Sequence, residues 1–357
     1  MAFNLFGMKL LFTLLFVLSY WSANSQNRSS PPTFNELFVP VDTVYIDINN
    51  DTFLTTPVNL CFNGNYLVWG AENSITIFSK NRSLLYYQDK KGRGPGEFER
   101  AVHYSCNGNS ISVLDRSSNK VSLFRYSKNG KELLFSDEFS ISKKRPSKLL
   151  DVGHSLFTLN NLLNPNVSEP AISVYKKDGT TVTSVGLIPK SAELQSFIEG
   201  SGGITVDDSS NIYYSFLGDH RVWKWSQKKD SVIIFDNKPE YFINTESGNL
   251  KKASKSSMEK IRYAFEISRI TDLFFLSPDL IIQQIEPDNY LKEGAKQKVL
   301  IEVFDTNGIK KYSSVQLPNV ISFTYKDLIY IPVDFFSNLI SGQGKKAVLI
   351  RYKFKVK

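Results

Sequence analysis

The chain of 357 residues has little of several features on which common protein functions depend. Its basic residues give a net charge of +8 but are spread along the sequence, with no basic block carrying interleaved aromatic residues. Nucleic-acid binding is therefore not expected. The sequence also has no serine-nucleophile motif, no phosphate-binding loop and no paired-carboxylate signature. No catalytic residue can be assigned, and whether the protein is an enzyme stays open.

Long apolar runs are also scarce, and the longest lies near the N-terminus. Residues 10–21, LLFTLLFVLSYW, follow Lys9 and precede the small residues Ala23 and Ser25. Twelve apolar residues are too few to span a bilayer, which takes about 20. The pattern predicts a signal peptide over 1–25 that is cleaved near Gln26. We expect a secreted or periplasmic protein with a polar leader over 26–40 and no stable membrane anchor.

Aromatic residues are abundant, and they favour strands. The chain has 26 Phe and 17 Tyr against three Met. Residues 91–130 read as one repeat, in which a glycine-rich turn precedes short strands with apolar residues at period two. Asn107-Gly108 and Asn129-Gly130 are typical of hairpin turns. With the strand that follows, the repeat predicts a sheet of about four antiparallel strands, the size of a propeller blade.

The same pattern recurs six times along the chain. Its first strands begin at residues 58, 102, 148, 203, 272 and 322. Five units have four strands, whereas the sixth has three, and the segment 43–48 (TVYIDI) before the first unit can supply the missing one. The fold class predicted is all-β: a six-bladed β-propeller of four-stranded antiparallel blades over 41–357, closed by an N-terminal strand. A closed ring does not require oligomerisation, so we expect a monomer.

Loop lengths predict which face of the ring binds a ligand. In a propeller, the loops that join blades share one face with the loops between second and third strands. We call this the loop-rich face, because nearly all the extra length falls there. The long loops are 161–170, 189–202, 285–298, 333–346 and an insertion at 237–271. Such loops usually build the binding surface of a repeat ring.

Three segments of the sequence resemble the NHL repeat. They are GRGPGEF at 92–98, GGITVDDSSNIYYS at 202–215 and DHRVWKW at 219–225. The arrangement as a whole more closely resembles the secreted six-bladed propeller proteins of Bacteroidetes, over most of residues 40–357. The resemblance implies the fold, but it implies little about function because propellers host many unrelated activities.

Zinc chemistry of the kind found in NHL-type amidating lyases, which hold zinc with histidines converging on the axis, is not expected here. His103 begins a first strand on the loop-rich face, His154 lies in a turn on the opposite face, and His220 lies in a loop between second and third strands. Ligands at unlike heights cannot make one tetrahedral site. We therefore expect no cofactor, although a structural cation on the propeller axis stays open.

Polar residues near strand ends on the loop-rich face are the candidate ligand-binding residues. They are Arg93, Arg100, His103, Asp115, Arg116, Asp219, His220, Gln284 and Asp334. The group is mostly cationic, and arginine can bind carboxylate or sulfate groups through two hydrogen bonds. Structural roles are the alternative: Asp115 as a turn cap, and Arg93 paired locally with Glu97.

Cys61 and Cys106 lie near the ends of neighbouring first strands. An exported protein permits a disulfide between them. Counted from the Asn-Gly that follows each cysteine, however, the two positions differ by one residue, so their side chains can point to opposite faces. The sequence leaves both arrangements open.

Two functional hypotheses result. The first is an exported binding module that presents its loop-rich face, near the central channel, to a glycan, a peptide or a partner protein. The alternative is an extracellular hydrolase or lyase that acts at the same channel mouth.

Overall fold

The computed structural model divides the chain into two units, Met1–Pro32 and Thr33–Lys357, and every element below belongs to the second. The described residues are 32–47, 57–127, 132–141, 145–161, 168–189, 202–227, 229–244, 256, 259, 266–287, 298–333 and 346–355. The predicted signal peptide over 1–25 lies outside them. Within the described part of the chain, no helix is long and apolar enough to cross a membrane.

The described chain begins with a short helix, α1 (Phe34–Leu37), and continues directly into strand β1 (Phe38–Asp47). The strands that follow form six antiparallel sheets of four strands, in which β1 is the last member of the sixth. Blade 1 comprises β2 (Pro57–Phe62), β3 (Tyr66–Ala71), β4 (Ser74–Ser79) and β5 (Leu84–Asp89). Blade 2 comprises β6 (Ala101–Asn107), β7 (Ser110–Asp115), β8 (Lys120–Tyr126) and β9 (Leu133–Ser140). Blade 3 comprises β10 (Lys148–Val152), β11 (Ser155–Leu159), β12 (Pro170–Lys176) and β13 (Thr181–Leu187).

The second half of the ring repeats the arrangement. Blade 4 comprises β14 (Gly203–Val206), β15 (Ile212–Ser215), β16 (Val222–Ser226) and β17 (Lys229–Phe235). Blade 5 comprises β18 (Arg269–Leu276), β19 (Leu280–Glu286), β20 (Val299–Asp305) and β21 (Lys310–Leu317). Blade 6 comprises β22 (Phe323–Tyr325), β23 (Leu328–Val333), β24 (Lys346–Phe354) and β1. The first strand of each blade lies beside that of the next, and β22 lies beside β2, so the first strands surround a central axis. The predicted six-bladed propeller is confirmed.

Apolar strands pack each blade between its two neighbours. In β3 and β4 of blade 1 nearly every side chain is buried, whereas the outermost strand of blade 3, β13, is largely exposed. Inner strands are covered on both faces, so they carry nearly continuous apolar runs rather than strict alternation. Between blades 4 and 5, the rings of Phe235 and Phe304 stack with centroids 4.8 Å apart.

Strand β1 closes the ring by pairing antiparallel with β24, in a register from Phe38 opposite Phe354 to Asp47 opposite Lys346. Strand β1 begins at Phe38, five residues before the predicted segment 43–48. The prediction of a polar leader over 26–40 is wrong for the part that the structure describes, from residue 32 onward. The reason is the apolar spacing of Phe34, Leu37 and Phe38, which are all buried against blades 5 and 6.

The predicted insertion at 237–271 is shorter at its C-terminal end, because β18 begins at Arg269. Its described ends belong to the core of blade 5: Phe242 is buried with Ile270 and Ile285. The Tyr241 hydroxyl donates to Glu302 Oε1 at 2.9 Å. Residues 245–265, apart from 256 and 259, lie outside the described residues.

Cys61 of β2 and Cys106 of β6 form a disulfide between blades 1 and 2, with their Cα atoms 5.9 Å apart. Two hydrogen bonds, both at 2.8 Å, set the register: Asn59 Nδ2 donates to Tyr104 O, and Tyr104 N donates to Asn59 Oδ1. Both cysteines lie two residues beyond this pair, so side chains at period two meet there. The distance to Asn-Gly was the wrong reference point, because the contact between strands decides which residues face each other.

Ring closure can be tested on β1 itself. Phe38 is 1% exposed and Val39 is 42% exposed on the same strand. Phe38→Ala should lower the free energy of unfolding by about 3–5 kcal/mol, the usual cost of removing a buried phenylalanine. Val39→Ala is the matched control and should have a much smaller effect in the same urea titration. If Phe38→Ala lowered the free energy of unfolding as little as Val39→Ala does, β1 would not be part of the cooperative core.

Candidate functional site

A cavity of about 330 Å³ lies at the axis on the loop-rich face, where the first strands begin. Its wall is drawn from four blades: residues 57–60 of β2, Lys148 of β10, Thr271 and Asp272 of β18 with Gln284 of β19, and residues 319–322 with Pro332 of blade 6. Because these blades lie on different sides of the axis, the cavity exists only when the ring is closed. We call it the axial cavity.

An ion pair crosses the wall of the axial cavity. Lys148 Nζ of blade 3 lies 2.8 Å from Asp272 Oδ2 of blade 5, and the two side chains are only 11% and 25% exposed. Asp272 Oδ1 also accepts a hydrogen bond from Leu273 N at 2.9 Å. Burial raises the pKa of the Asp272 carboxyl, while the positive charge of Lys148 acts in the opposite direction. The two residues thereby link blades that are not neighbours in the ring.

Blade 4 lies between the blades of Lys148 and Asp272, and its first strand begins at Gly203. A Cβ atom at this position would overlap the backbone of Asp272 and Leu273. Just before it, Gly202 N donates to Ile270 O at 3.1 Å. Glycine at 203 therefore lets β14 and β18 approach closely at the height where Asp272 reaches Lys148.

His103 of β6 interacts electrostatically with Lys148, but it is not among the described residues that line the axial cavity. Burial, and secondarily the charge of Lys148, hold the pKa of His103 well below its usual value, against a hydrogen bond with the Leu149 backbone. Its Nδ1 has no hydrogen-bond partner among the described residues. The low pKa favours the neutral form of His103. The described lining has one basic and one acidic side chain, Lys148 and Asp272.

Amide side chains in the wall are already engaged by the protein. Gln284 Oε1 accepts from Ile321 N at 2.6 Å, and Gln284 Nε2 donates to Thr271 Oγ1 at 2.9 Å. Asn319 Nδ2 donates to Pro332 O at 3.1 Å and its Oδ1 accepts from Val320 N at 2.8 Å. Gln284, a candidate ligand-binding residue from the sequence, lines the cavity. Its side chain is used to hold the wall together through these hydrogen bonds.

The candidates from the first two blades form a turn network away from the described lining. Asp115 is buried and accepts hydrogen bonds from Glu99 N, at 2.9 Å, and Arg100 N, at 3.2 Å, besides three from the turn that follows it. Arg93 Nε lies 2.6 Å from Glu99 Oε1, so its local partner is not Glu97. Arg116 N donates to Arg100 O at 3.1 Å. Asp115 thus has the structural role that the sequence offered as its alternative.

The candidates in blade 4 form a second local cluster. Asp219 is 2% exposed and binds the guanidinium of Arg221, with Nε 2.9 Å from Oδ1. His220 Nε2 lies 3.4 Å from Asp236 Oδ1 and its ring contacts Phe242 edge-on, with centroids 5.8 Å apart. Asp334 lies outside the described residues. Among the residues that the structure describes, no three His, Cys, Asp or Glu side chains are grouped so as to hold a metal ion.

Sequence reasoning missed Lys148 and Asp272, although both stood at informative positions. They are the first residues of two predicted first strands, KLLDV and DLFFL. Aligning the six first strands at their starts places these opposite charges at one height of the ring. Arg93, Arg100 and Arg116, the arginines of the predicted group, lie outside the described lining of the axial cavity.

A second cleft, of about 440 Å³, lies on the opposite face between blades 2 and 3. Arg125, His154 and Lys177 contribute to its lining, and all but Lys177 are exposed. Lys177 is paired with the buried carboxylate of Asp151. The cleft provides control positions that are remote from the loop-rich face.

A family model described as a 6-bladed beta-propeller, DUF5128, matches residues 34–318. The chain belongs to this family. Among solved structures, this DUF5128 protein is similar to a DUF4221 family member from Bacteroides vulgatus, with 12% identity, coverage of 90% of this chain and 98% of that one, and a TM-score of 0.65. It is also similar to a candidate exported protein from Bacteroides fragilis, with 15% identity, coverage of 91% and 97%, and a TM-score of 0.64.

These likenesses confirm the resemblance to Bacteroidetes propellers. At 12% and 15% identity they show a shared fold alone. No curated protein matches the DUF5128 chain in sequence.

The electrostatic coupling at the axis can be measured by replacing its cation. Lys148→Met should raise the pKa of both Asp272 and His103, because the lysine charge favours the carboxylate and disfavours the imidazolium. Carboxyl and imidazole resonances followed through a pH titration by NMR report both groups. Arg125→Met removes an exposed cation from the opposite face and should change neither. Unaltered values in Lys148→Met would contradict the close contact with Asp272.

The close approach at blade 4 can be tested with Gly203→Ala. The added methyl group meets backbone that cannot turn aside, so the variant should lose about 1–3 kcal/mol of unfolding free energy. Gly94→Ala is the control, since its Cβ would meet only the end of the Glu97 side chain, at 3.0 Å. A Gly203→Ala protein as stable as this control in urea would refute the packing role of Gly203.

Proposed function

We propose that this protein is an exported binding propeller that holds a small ligand, or the end of a larger glycan or peptide, in the axial cavity. The single observation that carries the proposal is the Lys148–Asp272 pair, largely withdrawn from water in a cavity of about 330 Å³. Ligand pockets for small molecules commonly measure about 300–1,000 Å³ and place a few polar groups in a mostly apolar wall. The axial cavity has both properties.

Export is supported by the N-terminal sequence and by one of the similar structures. The apolar run at 10–21 with Ala23 and Ser25 suits cleavage near Gln26, and the similar Bacteroides fragilis protein is a candidate exported protein. The mature protein would then act in the periplasm or outside the cell. The disulfide between Cys61 and Cys106 fits an oxidising compartment.

Binding is favoured over catalysis because the polar groups of the described wall are held in place by one another. Asp272, the carboxylate there, accepts hydrogen bonds from Lys148 Nζ and Leu273 N. Glycosidases use a pair of carboxyl groups, whereas the described wall has one, which is paired with Lys148. An extracellular hydrolase or lyase at the same mouth is the alternative, and it would be recognised by product formation.

The proposal is tested by screening glycan fragments, amino acids and short peptides against the protein from Gln26 onward. Methyl NMR signals of Val58 and Ile321, which line the axial cavity, report binding there. We expect hits that shift these signals and lose at least tenfold in affinity when Lys148→Met and Asp272→Leu are combined. Both charges are removed together, since removing one would leave the other buried without a partner.

Arg125→Ala, on the opposite face, is the control and should bind every hit as the unaltered protein does. Hits that move the Leu123 methyl signals and leave Val58 and Ile321 unchanged would locate binding in the other cleft and refute the proposed site. A hit that is converted to product would favour the hydrolase or lyase hypothesis over the binding module.

A further inference from the structure

Resting on the proposed function, we infer that the ligand of the axial cavity is uncharged and rich in hydroxyl groups, with the sugar ring of a glycan as its chemical type. It binds while the Lys148–Asp272 pair stays closed. The inference follows from what the described wall offers to a ligand and from what a charged ligand would have to break.

The described wall offers a balanced charge. Lys148 and Asp272 are its charged side chains, and they are 2.8 Å apart. A ligand carboxylate that takes Lys148 leaves Asp272 buried without its partner, and a ligand ammonium that takes Asp272 does the same to Lys148. Breaking a buried pair by removing one partner is strongly unfavourable. A ligand with a single charge therefore loses much of what its new contact gains.

A hydroxyl group can use the same pair without opening it. A lysine ammonium has three N–H donors and a carboxylate has about four acceptor sites, so each ion keeps capacity beyond its bond to the other. One hydroxyl can accept from Lys148 while it or its neighbour donates to Asp272. Hydrogen bonds to charged groups are about twice as strong as those between neutral groups. Adjacent hydroxyls on a ring match two ions held side by side.

In the described wall, the ion pair is the main source of hydrogen bonds to a ligand hydroxyl group. The amides of Asn59, Gln284 and Asn319 are bonded within the protein. No aromatic ring is among the described residues that line the cavity. The remaining lining includes the hydroxyl residues Thr271 and Ser322 and apolar residues such as Val58, Ile321 and Pro332, whose side chains suit the C–H surface of a sugar ring.

Matched sugars test the inference in the unaltered protein. Glucose, galactose and mannose are titrated beside their uronates and their amino counterparts, at a pH at which the amine is protonated. A free amino acid, which carries both charges, is added as a further probe. The methyl signals of Val58 and Ile321 report the Kd. We expect at least one neutral hexose to bind, with its uronate and amino counterparts weaker by at least tenfold.

Variants then connect the preference to the pair. Combining Lys148→Met with Asp272→Leu should weaken the neutral hexose at least tenfold, whereas Arg125→Ala should leave it unchanged. The comparison among probes needs no variant, so it stands if the double variant does not fold.

Two outcomes would overturn the inference. A uronate, an amino sugar or the amino acid that binds as tightly as the best neutral hexose would show that the pair opens, and the proposed binding function would stand. If no probe shifts the Val58 or Ile321 signals, the inference fails also, and the broader screen decides separately whether the axial cavity binds a ligand of another class.

Discussion

Closure of the ring by β1 is the interaction on which the rest of this structure depends. Each blade buries its inner strands between two neighbours, so an open ring would leave one face of blade 1 and one face of blade 6 uncovered and the edge of β24 unpaired. Pairing of β1 with β24 completes blade 6, and Phe34, Leu37 and Phe38 extend the contact onto blade 5. The axial cavity follows from this closure, since its described wall combines residues of blades 1, 3, 5 and 6.

The charge pair at the axis depends on the same constraint. Lys148 and Asp272 are 124 residues apart in the chain and belong to blades that are not neighbours in the ring. Their contact requires blade 4 to hold both neighbours at the right distance, and Gly203 supplies the close approach on one side. A ring with a different blade angle would separate the two ions and leave each of them buried alone, which is costly.

The sequence predicts the fold well because the signals for strands are local. Period-two apolar residues and Asn-Gly turns act within a few positions, so each first strand could be placed before its neighbours were known. The site could not be found in this way. Asp115 and Asp219 stood out as polar residues near strand ends, but they accept hydrogen bonds from Ser117 N and Arg221 N, two residues further on. Lys148 and Asp272 have partners that only the closed ring supplies.

Rigidity links this architecture to recognition. Two hydrogen bonds fix the wall of the axial cavity: Ile321 N donates to Gln284 Oε1, and Asn319 Nδ2 donates to Pro332 O of blade 6. The ion pair is held by two blades, since Lys148 belongs to blade 3 and Asp272 to blade 5. Little side-chain freedom remains to be lost when a ligand enters, which favours binding by a ligand with few contacts. The same rigidity limits which ligands fit, because the pair cannot turn outward to meet a distant charge. Selectivity for hydroxyl groups over charged groups then follows from the geometry of a closed pair and does not require a loop to move.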